Sequence, residues 1–372
     1  VTVRVGVVLN PIAGFGGTRA LHGTDELPLD RFDEAVRAGH AARRLVRALD
    51  RAAVGGSGLE LVAAPGPMGA HALADAGIPH TVLDMPVPPA RTTREHTVAA
   101  ARSFAAHGAD LIVFAGGDGT ATDIARAIAQ DVPVVGVPSG VKMHSEVFAR
   151  SPEAAGRLIA AVVDGRASFE PAEVLDVGAD GGAGVVGLLR APRSAEPLQG
   201  AKAAAPPAFS AAAGRAIAES LVPAADPRTT WIIGPGATAG AVADRLGVVP
   251  TLRGVDVRHP DGSVEKDVAE NRLFAVVSAA EHPVLVLGVV GGQGFLLGRG
   301  NQELSPRVIA AIGAPRIHII ATEEKIGVLF PPVLLVDADL DEQSSPHPLL
   351  GYRRVRTGPR QSTVLRVVDA AA

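Results

Sequence analysis

The sequence predicts an α/β N-terminal domain built on a parallel sheet, followed by a second domain rich in β-strands. Three features of the 372 residues lead there. Over roughly the first 140 residues, short apolar runs alternate with segments of helical periodicity, the signature of βαβ units. Those runs are almost continuously apolar, as strands covered on both faces must be. After Val141 the texture changes, and brief apolar runs recur between turn signals, as in "TTWIIGPG", "PVLVLGVVGGQGFLLG" and "TVLRVVD". The expected organisation is residues 1–140, then 141–340, then a segment 341–372 that packs back on the first domain.

Each element has its own reason. Val3 to Leu9 is apolar except for Arg4 and Gly6 and reads as a buried first strand. It runs into the glycine-rich loop "NPIAGFGG", Asn10 to Gly17. A helix is expected from Asp33 to Arg51, with apolar positions at helical spacing and Arg and Asp on the outer face. Leu59 to Ala63 is a second strand, and "GIPHTVLDM" holds a third. Arg94 to His107 is a helix leading to the strand Asp110 to Ala115. A glycine turn and a helix from Thr122 to Ala129 come next, and "VPVVGVPSG" supplies another short buried strand. Helical patterning returns from Arg157 to Asp164. The Ala/Pro-rich stretch between Ala191 and Ala225 is either a lid or a tolerated surface insertion.

Composition removes several classes of function. Apolar residues make up 47% and charged residues 20%, which suits a globular chain and not a disordered one. A net charge of −4 provides no basic field for nucleic acid or an anionic membrane. Aromatics at 3% are too few to stack a single strand's bases. With no cysteine there is no disulfide, thiolate metal site or cysteine nucleophile. No apolar run reaches the roughly 18 residues that span a bilayer. "VTVRVGVVLNP" reads as a strand and not a signal peptide, so the expected location is the cytoplasm.

The stretch "DLIVFAGGDGTATDIA", Asp110 to Ala125, carries the chemistry. Strand, glycine turn, helix is the geometry in which main-chain N–H groups and a helix N-terminus face an anion. Gly116, Gly117 and Gly119 remove Cβ atoms so that a phosphate could approach. Asp118 would repel that phosphate, so it needs another task. The task that fits is to accept the proton of a hydroxyl attacking a terminal phosphoryl group, with Mg²⁺ offsetting charge. The plain alternative is a β-turn in which Asp and Gly only satisfy dihedral angles. "NPIAGFGG" follows the first strand as a phosphate loop should, yet it is neither a Walker A nor the usual dinucleotide fingerprint.

"NPIAGFGG", "GGDGTATDIA", "GVPSGVKMHSEVFA", "GVDV" and "GGQGFLLGRGNQELSP" occur in an order that resembles the ATP–NAD kinase superfamily, most closely its AcoX-like branch. The glycine–aspartate signature is shared with diacylglycerol and sphingosine kinases. The resemblance implies an NAD-kinase/phosphofructokinase-like α/β domain, a β-sandwich-like second domain and an active site in the cleft between them. It implies that Asp118 activates the acceptor hydroxyl. It also implies that Asn10, Gly14, Gly16, Gly17, Gly116, Gly117, Gly119 and Thr120 hold the phosphates of ATP. Gly291, Gly292 and Gln293, with Arg299, Asn301 and Gln302, would line the acceptor side, and Asp123, Ser139, Lys142 and His144 are further candidates there. The implied partners are a nucleotide donor and a small hydroxyl acceptor, in a homodimer or homotetramer.

Several polar positions depart from that branch's pattern: His22, His96, Thr122, Ala269, and "GVVGGQG" without its usual Thr/Ser-Pro lead. Losing Lys and Arg near an anion changes what can be clamped. The sequence therefore leaves three readings open. One is a kinase for the ribose hydroxyl of NAD or a related nucleoside. A second is a pathway-specific small-molecule kinase with a remodelled pocket. A third is a nucleotide-binding regulator, against which the intact Asp118 argues. A lipid kinase would need a membrane-facing basic or aromatic patch, and none is visible.

Minor features weigh less. Lys142 either reaches a phosphate or is a solvated residue at a helix start. His22, His96 and His144 lack metal-ligand spacing. Ser139 is not in a nucleophile elbow. "VDADLDE", from Asp337, lacks EF-hand spacing and reads as a charged turn. Glu270 and Asn271 either touch a sugar hydroxyl or start a helix.

Overall fold

The computed structural model describes the chain except residues 1, 22, 25–26, 54–57, 89–90, 129, 142, 178–182, 196–197, 200–206, 252 and 339–346. By contact it divides into two compact units, the first comprising residues 1–15, 23–201 and 371, the second residues 16–22, 202–370 and 372.

The first unit is a five-stranded parallel sheet of β1 (Val3–Leu9), β2 (Leu59–Ala63), β3 (Thr81–Val82), β4 (Leu111–Gly116) and β5 (Val134–Pro138). Its helices are α1 (Phe32–Ala38), α2 (His40–Ala53), α3 (Ala70–Asp75), α4 (Arg94–Ala106), α5 (Asp118–Ile128) and α6 (Pro152–Val163). The strand order is β3-β2-β1-β4-β5, and every neighbouring pair is parallel. Order therefore reverses between β1 and β4, and in such sheets ligands bind beyond the carboxyl ends of the strands at that reversal. β4 and β5 are buried along their whole length, which explains their unbroken apolar sequence. An antiparallel ribbon, β6 (Ser168–Val177) with β7 (Ala183–Arg193), packs over α5 and β5.

The second unit is strand-rich as expected. Its sheet has nine strands, ordered β10-β9-β8-β11-β13-β15-β16-β14-β12. They are β8 (Thr229–Ile233), β9 (Asp256–Arg258), β10 (Val264–Glu265), β11 (His282–Gly288), β12 (Phe295–Leu297), β13 (Ile317–Ile320), β14 (Val333–Val336), β15 (Gly351–Arg356) and β16 (Ser362–Asp369). The helices α7 (Pro207–Leu221), α8 (Ala237–Arg245), α9 (Glu270–Ala279), α10 (Pro306–Ile312) and α11 (Glu323–Gly327) accompany it. Among the described residues no helix is long and apolar enough to cross a membrane.

Two expectations are revised. The single helix from Asp33 to Arg51 is two, because Gly39 takes φ 58° and returns its N–H to Val36 O, ending α1 before α2 begins. The helix after the glycine turn starts at Asp118 and not at Thr122. By contact, the first unit extends to Ala201, and β6 and β7 pack on α5. β15 and β16 pair antiparallel deep within the second sheet, and only Ala371 counts with the first unit. Part of the Ala/Pro-rich stretch lies outside the described residues. Its α7, however, is a packed helix whose Ile217, Ala218 and Leu221 join Ala239, Val242 and Ala243 in a core cluster.

His347, ahead of β15, is buried and its Nε2 has no hydrogen-bond partner. Burial pushes its imidazole down from 6.5 to about 4. The unfolded chain thus takes up this proton at a pH where the fold resists it, so the associated stability is present above pH 6.5 and lost as pH falls toward 4. Chemical denaturation across that range should show a fall on the order of 3 kcal/mol that His347→Asn largely removes.

Candidate active site

The carboxyl ends of β1 and β4 lie side by side, with Leu9 opposite Ala115 and Asn10 N donating to Ala115 O at 2.9 Å. Two of the expected phosphate-binding segments start at this point. Asn10 Oδ1 accepts from Ile12 N at 3.3 Å, and its Nδ2 reaches Thr120 Oγ1 at 3.4 Å. Gly14 adopts φ +82°, and a Cβ there would lie 2.1 Å from the His40 ring and 2.4 Å from Ser139 O. Its glycine character is thus demanded by the fold itself. Gly116 is similar, as an added Cβ would stand 2.4 Å from Thr120 Oγ1, while Gly116 O accepts from Ser139 N and Gly140 N. Gly119 differs: nothing lies within 4 Å of a Cβ built there, and its φ is ordinary. The fold does not require that glycine, whereas an object pressed against the start of α5 would. Gly117 O accepts from Ala121 N in the first turn of α5.

Asp118 is the first residue of α5 and its carboxylate is surrounded by donors. Oδ1 accepts from Ser145 Oγ at 2.7 Å, Ser145 N at 3.0 Å and His144 N at 3.0 Å. Oδ2 accepts from His144 N at 2.8 Å and meets His144 Nδ1 at 2.9 Å. The two side chains are only 11% and 9% exposed, so water hardly competes for these bonds.

The segment that supplies the donors is held from several sides. A Cβ added at Gly136 would lie 2.6 Å from the Phe148 ring, so the glycine lets that ring pack edge-on against Phe114 with centroids 5.3 Å apart. Gly136 N donates to Val147 O, and Ala149 N to Gly136 O. On the other side Glu146 N donates to Glu173 O, and Leu175 N to Ser145 Oγ at 3.0 Å. Buried Gln199 donates Nε2 to Ser145 O at 2.9 Å and to Met143 O at 3.3 Å. Residues 143–149 thus form a fixed shelf facing the tip of β4.

The remaining candidates divide into groups. Asp123 is buried beside Arg94, whose Nη2 stands 3.2 Å away; burial pushes its carboxyl up, and Arg94 partly opposes this. Ser139 is buried and turns its hydroxyl inward to Val137 O. Lys142 and His22 lie outside the described residues. His96 closes a capping box with Thr93 at the start of α4, a local role that accounts for a polar residue there. In the second unit, Gly292 and Gly294 take φ +77° and +78° in the tight turn after β11, on either side of buried Gln293 and following Gly291. Gly17 belongs to this unit by contact, as does Gly16, and a Cβ on Gly17 would lie 3.0 Å from Gln302.

Arg299 and Asn301, expected on the acceptor side, both have partners inside the fold. Arg299 pairs with buried Asp337 and stacks 4.1 Å from the Phe295 ring centre. Asn301 Oδ1 accepts from Gly298 N at 3.0 Å, and its Nδ2 donates to Leu296 O at 2.7 Å. Asp337, the first acid of the run read as a charged turn, is thereby accounted for; residues 339–342 lie outside the described set. Glu270 is also engaged. Arg307 and Ser305 bind its carboxyl, and the Arg307 guanidinium holds it below the usual carboxylate range. Asn271 Oδ1 accepts from Arg307 at 2.6 Å.

Sequence reasoning noted Ser145 beside His144 but gave it no role, and it omitted Gln199 from the site. "GVKMHSEVF" was the available signal for Ser145; nothing in the Ala/Pro-rich stretch marks Gln199. Among the described residues no group of three or more His, Asp or Glu side chains could hold a metal. Ser145→Ala would leave Asp118 short of a donor and Leu175 N–H unpaired in the interior. A loss of about 1–3 kcal/mol in denaturant midpoint stability is expected, since an orphaned buried donor costs that much.

The comparisons with known proteins agree with this geometry. The model of the ATP-NAD kinase N-terminal domain matches residues 5–167, the span that contains the parallel sheet, Asp118 and the shelf. The model of the ATP-NAD kinase C-terminal domain matches residues 242–367 in the strand-rich unit. No curated protein matches the chain significantly. The two matches cover well over half of the chain, in order and without overlap, and the protein belongs to the ATP-NAD kinase superfamily.

Proposed function

We propose that this member of the superfamily, of its AcoX-like branch, is an ATP-dependent kinase that phosphorylates a ribose hydroxyl of NAD or a related nucleoside or nucleotide. The observation that carries the reading is the position of Asp118. A nearly desolvated carboxylate stands on the first turn of α5, at the sheet's order reversal, beside the open space over Gly119. The main-chain N–H groups at the start of α5 would receive the terminal phosphates, favoured by the helix dipole. Asn10 and Thr120, in contact with each other, would border the same phosphates. Asp118 is the acidic group of the proton-accepting centre, since a carboxylate in that position would repel the nucleotide unless it served the acceptor hydroxyl. Mg²⁺, when bound with ATP, would neutralise charge on the transferring phosphoryl group.

A second reading concerns the acceptor alone. The internal engagement of Arg299 and Asn301 and the absence of Lys or Arg at the departing positions favour a hydroxyl compound less anionic than NAD.

Incubation with Mg-ATP and a panel of NAD, NADH, nucleosides and nucleotides should release ADP together with a phosphorylated product. NADP formation supports the first acceptor; turnover confined to another hydroxyl compound supports the second. ATP binding without turnover on any member contradicts the kinase reading. Asp118→Asn should lower turnover by at least about 100-fold while ATP affinity stays within about threefold.

A further inference from the structure

Asp118 already has four donor groups on its two oxygens: the His144 and Ser145 amides, the Ser145 hydroxyl and the His144 imidazole. A carboxylate offers only about four lone-pair sites, so a substrate hydroxyl would find none open. Reaching one would require the acceptor to displace a bond from the rigid shelf. The imidazole is placed differently. An ionised carboxylate can only accept, so the hydrogen shared at 2.9 Å with Oδ2 belongs to Nδ1. The lone pair of the ring is then on Nε2. No hydrogen bond among the described residues engages that atom, and it is not among the sealed, unpartnered polar atoms. The His144 amide, bonded to both carboxylate oxygens, locks ring and carboxylate in one register.

Resting on the kinase reading above, we infer that His144 is the catalytic base and Asp118 the residue that positions it. As the acceptor oxygen forms its bond to the γ-phosphorus, the bond from that phosphorus to the β,γ-bridging oxygen breaks and its electron pair leaves on ADP. The hydroxyl proton passes to His144 Nε2, and the imidazolium so formed is balanced by the Asp118 carboxylate. The division of labour is that of an Asp–His pair in acyl transfer, where the carboxylate fixes the tautomer and the imidazole carries the proton. It gives a physical reason for a histidine in "KMHSE" rather than any residue able to donate one main-chain N–H.

His144→Asn separates the two roles. The asparagine Nδ2 can replace Nδ1–H and keep the bond to Asp118, but nothing replaces Nε2. We expect kcat to fall by at least about 100-fold, with the Kd of ATP changed by less than about threefold and the melting temperature unchanged. Added imidazole should restore measurable turnover to His144→Gly and none to Asp118→Asn. Retention of more than a third of wild-type kcat by H144N, or no imidazole effect on His144→Gly, overturns the assignment.

A readout independent of turnover is the ¹⁵N spectrum of the labelled ring in the wild-type protein in mildly alkaline buffer. The expected tautomer has hydrogen on Nδ1 and none on Nε2, with Asp118→Asn removing that preference; hydrogen on Nε2 in the wild type overturns the assignment. Turnover by the wild type and H144N alike defeats this inference and leaves the kinase reading intact. Wild type without turnover on any acceptor defeats the kinase reading, while the tautomer is still measured.

Discussion

The bonds between the Asp118 carboxylate and residues 144–145 are the constraint around which the first unit is arranged. A carboxylate with 11% exposure is costly to leave unpaired. The fold meets that cost by bringing a second stretch of chain, 26 and 27 residues later, to the tip of β4. Much of the surrounding architecture serves to keep that stretch there. Gly136 makes room for Phe148, Phe148 fills the space beside Phe114, and β6 supplies partners for Glu146 and Ser145. Gln199 closes the back of the shelf. A strand end, a helix start and a loop are thus fixed relative to one another before any ligand enters, which is what positioned chemistry requires.

The first unit was legible in the sequence for a simple reason. Parallel strands buried on both faces must be apolar throughout, and their connections must carry glycine where main chain meets main chain. Val3–Leu9, Leu111–Gly116 and Val134–Pro138 obey that rule without exception in their inner residues. The glycine–aspartate turn was legible too, because few structural demands explain an acid between glycines at a strand end. What could not be read was pairing at a distance. Nothing local says that His144 faces Asp118, because the bond depends on how the chain from β5 turns back across α5.

The second unit was harder to read for physical reasons. Its helices α8 and α10 are short and follow strands through glycine- or proline-containing turns, so their periodicity is brief and easily hidden among apolar runs. Arg299 and Asn301 illustrate a related difficulty. Polar residues in a glycine-rich segment look like ligand contacts, yet one neutralises buried Asp337 and the other satisfies main-chain groups of a tight turn. Both uses meet the same need, a partner for every buried polar group, and sequence cannot separate them from recognition. The division of the glycine loop is a further case, with Asn10 and Gly14 counting with one unit and Gly16 and Gly17 with the other.

The most direct test of the account is a crystal structure with Mg²⁺, a non-hydrolysable ATP analogue and an acceptor identified by turnover. The account predicts terminal phosphate oxygens on the main-chain N–H groups at the start of α5, Asp118 still bound by residues 144 and 145, and the acceptor hydroxyl against His144 Nε2. A nucleotide bound away from the ends of β1 and β4, or a hydroxyl lying on an Asp118 carboxylate released from that shelf, would contradict it.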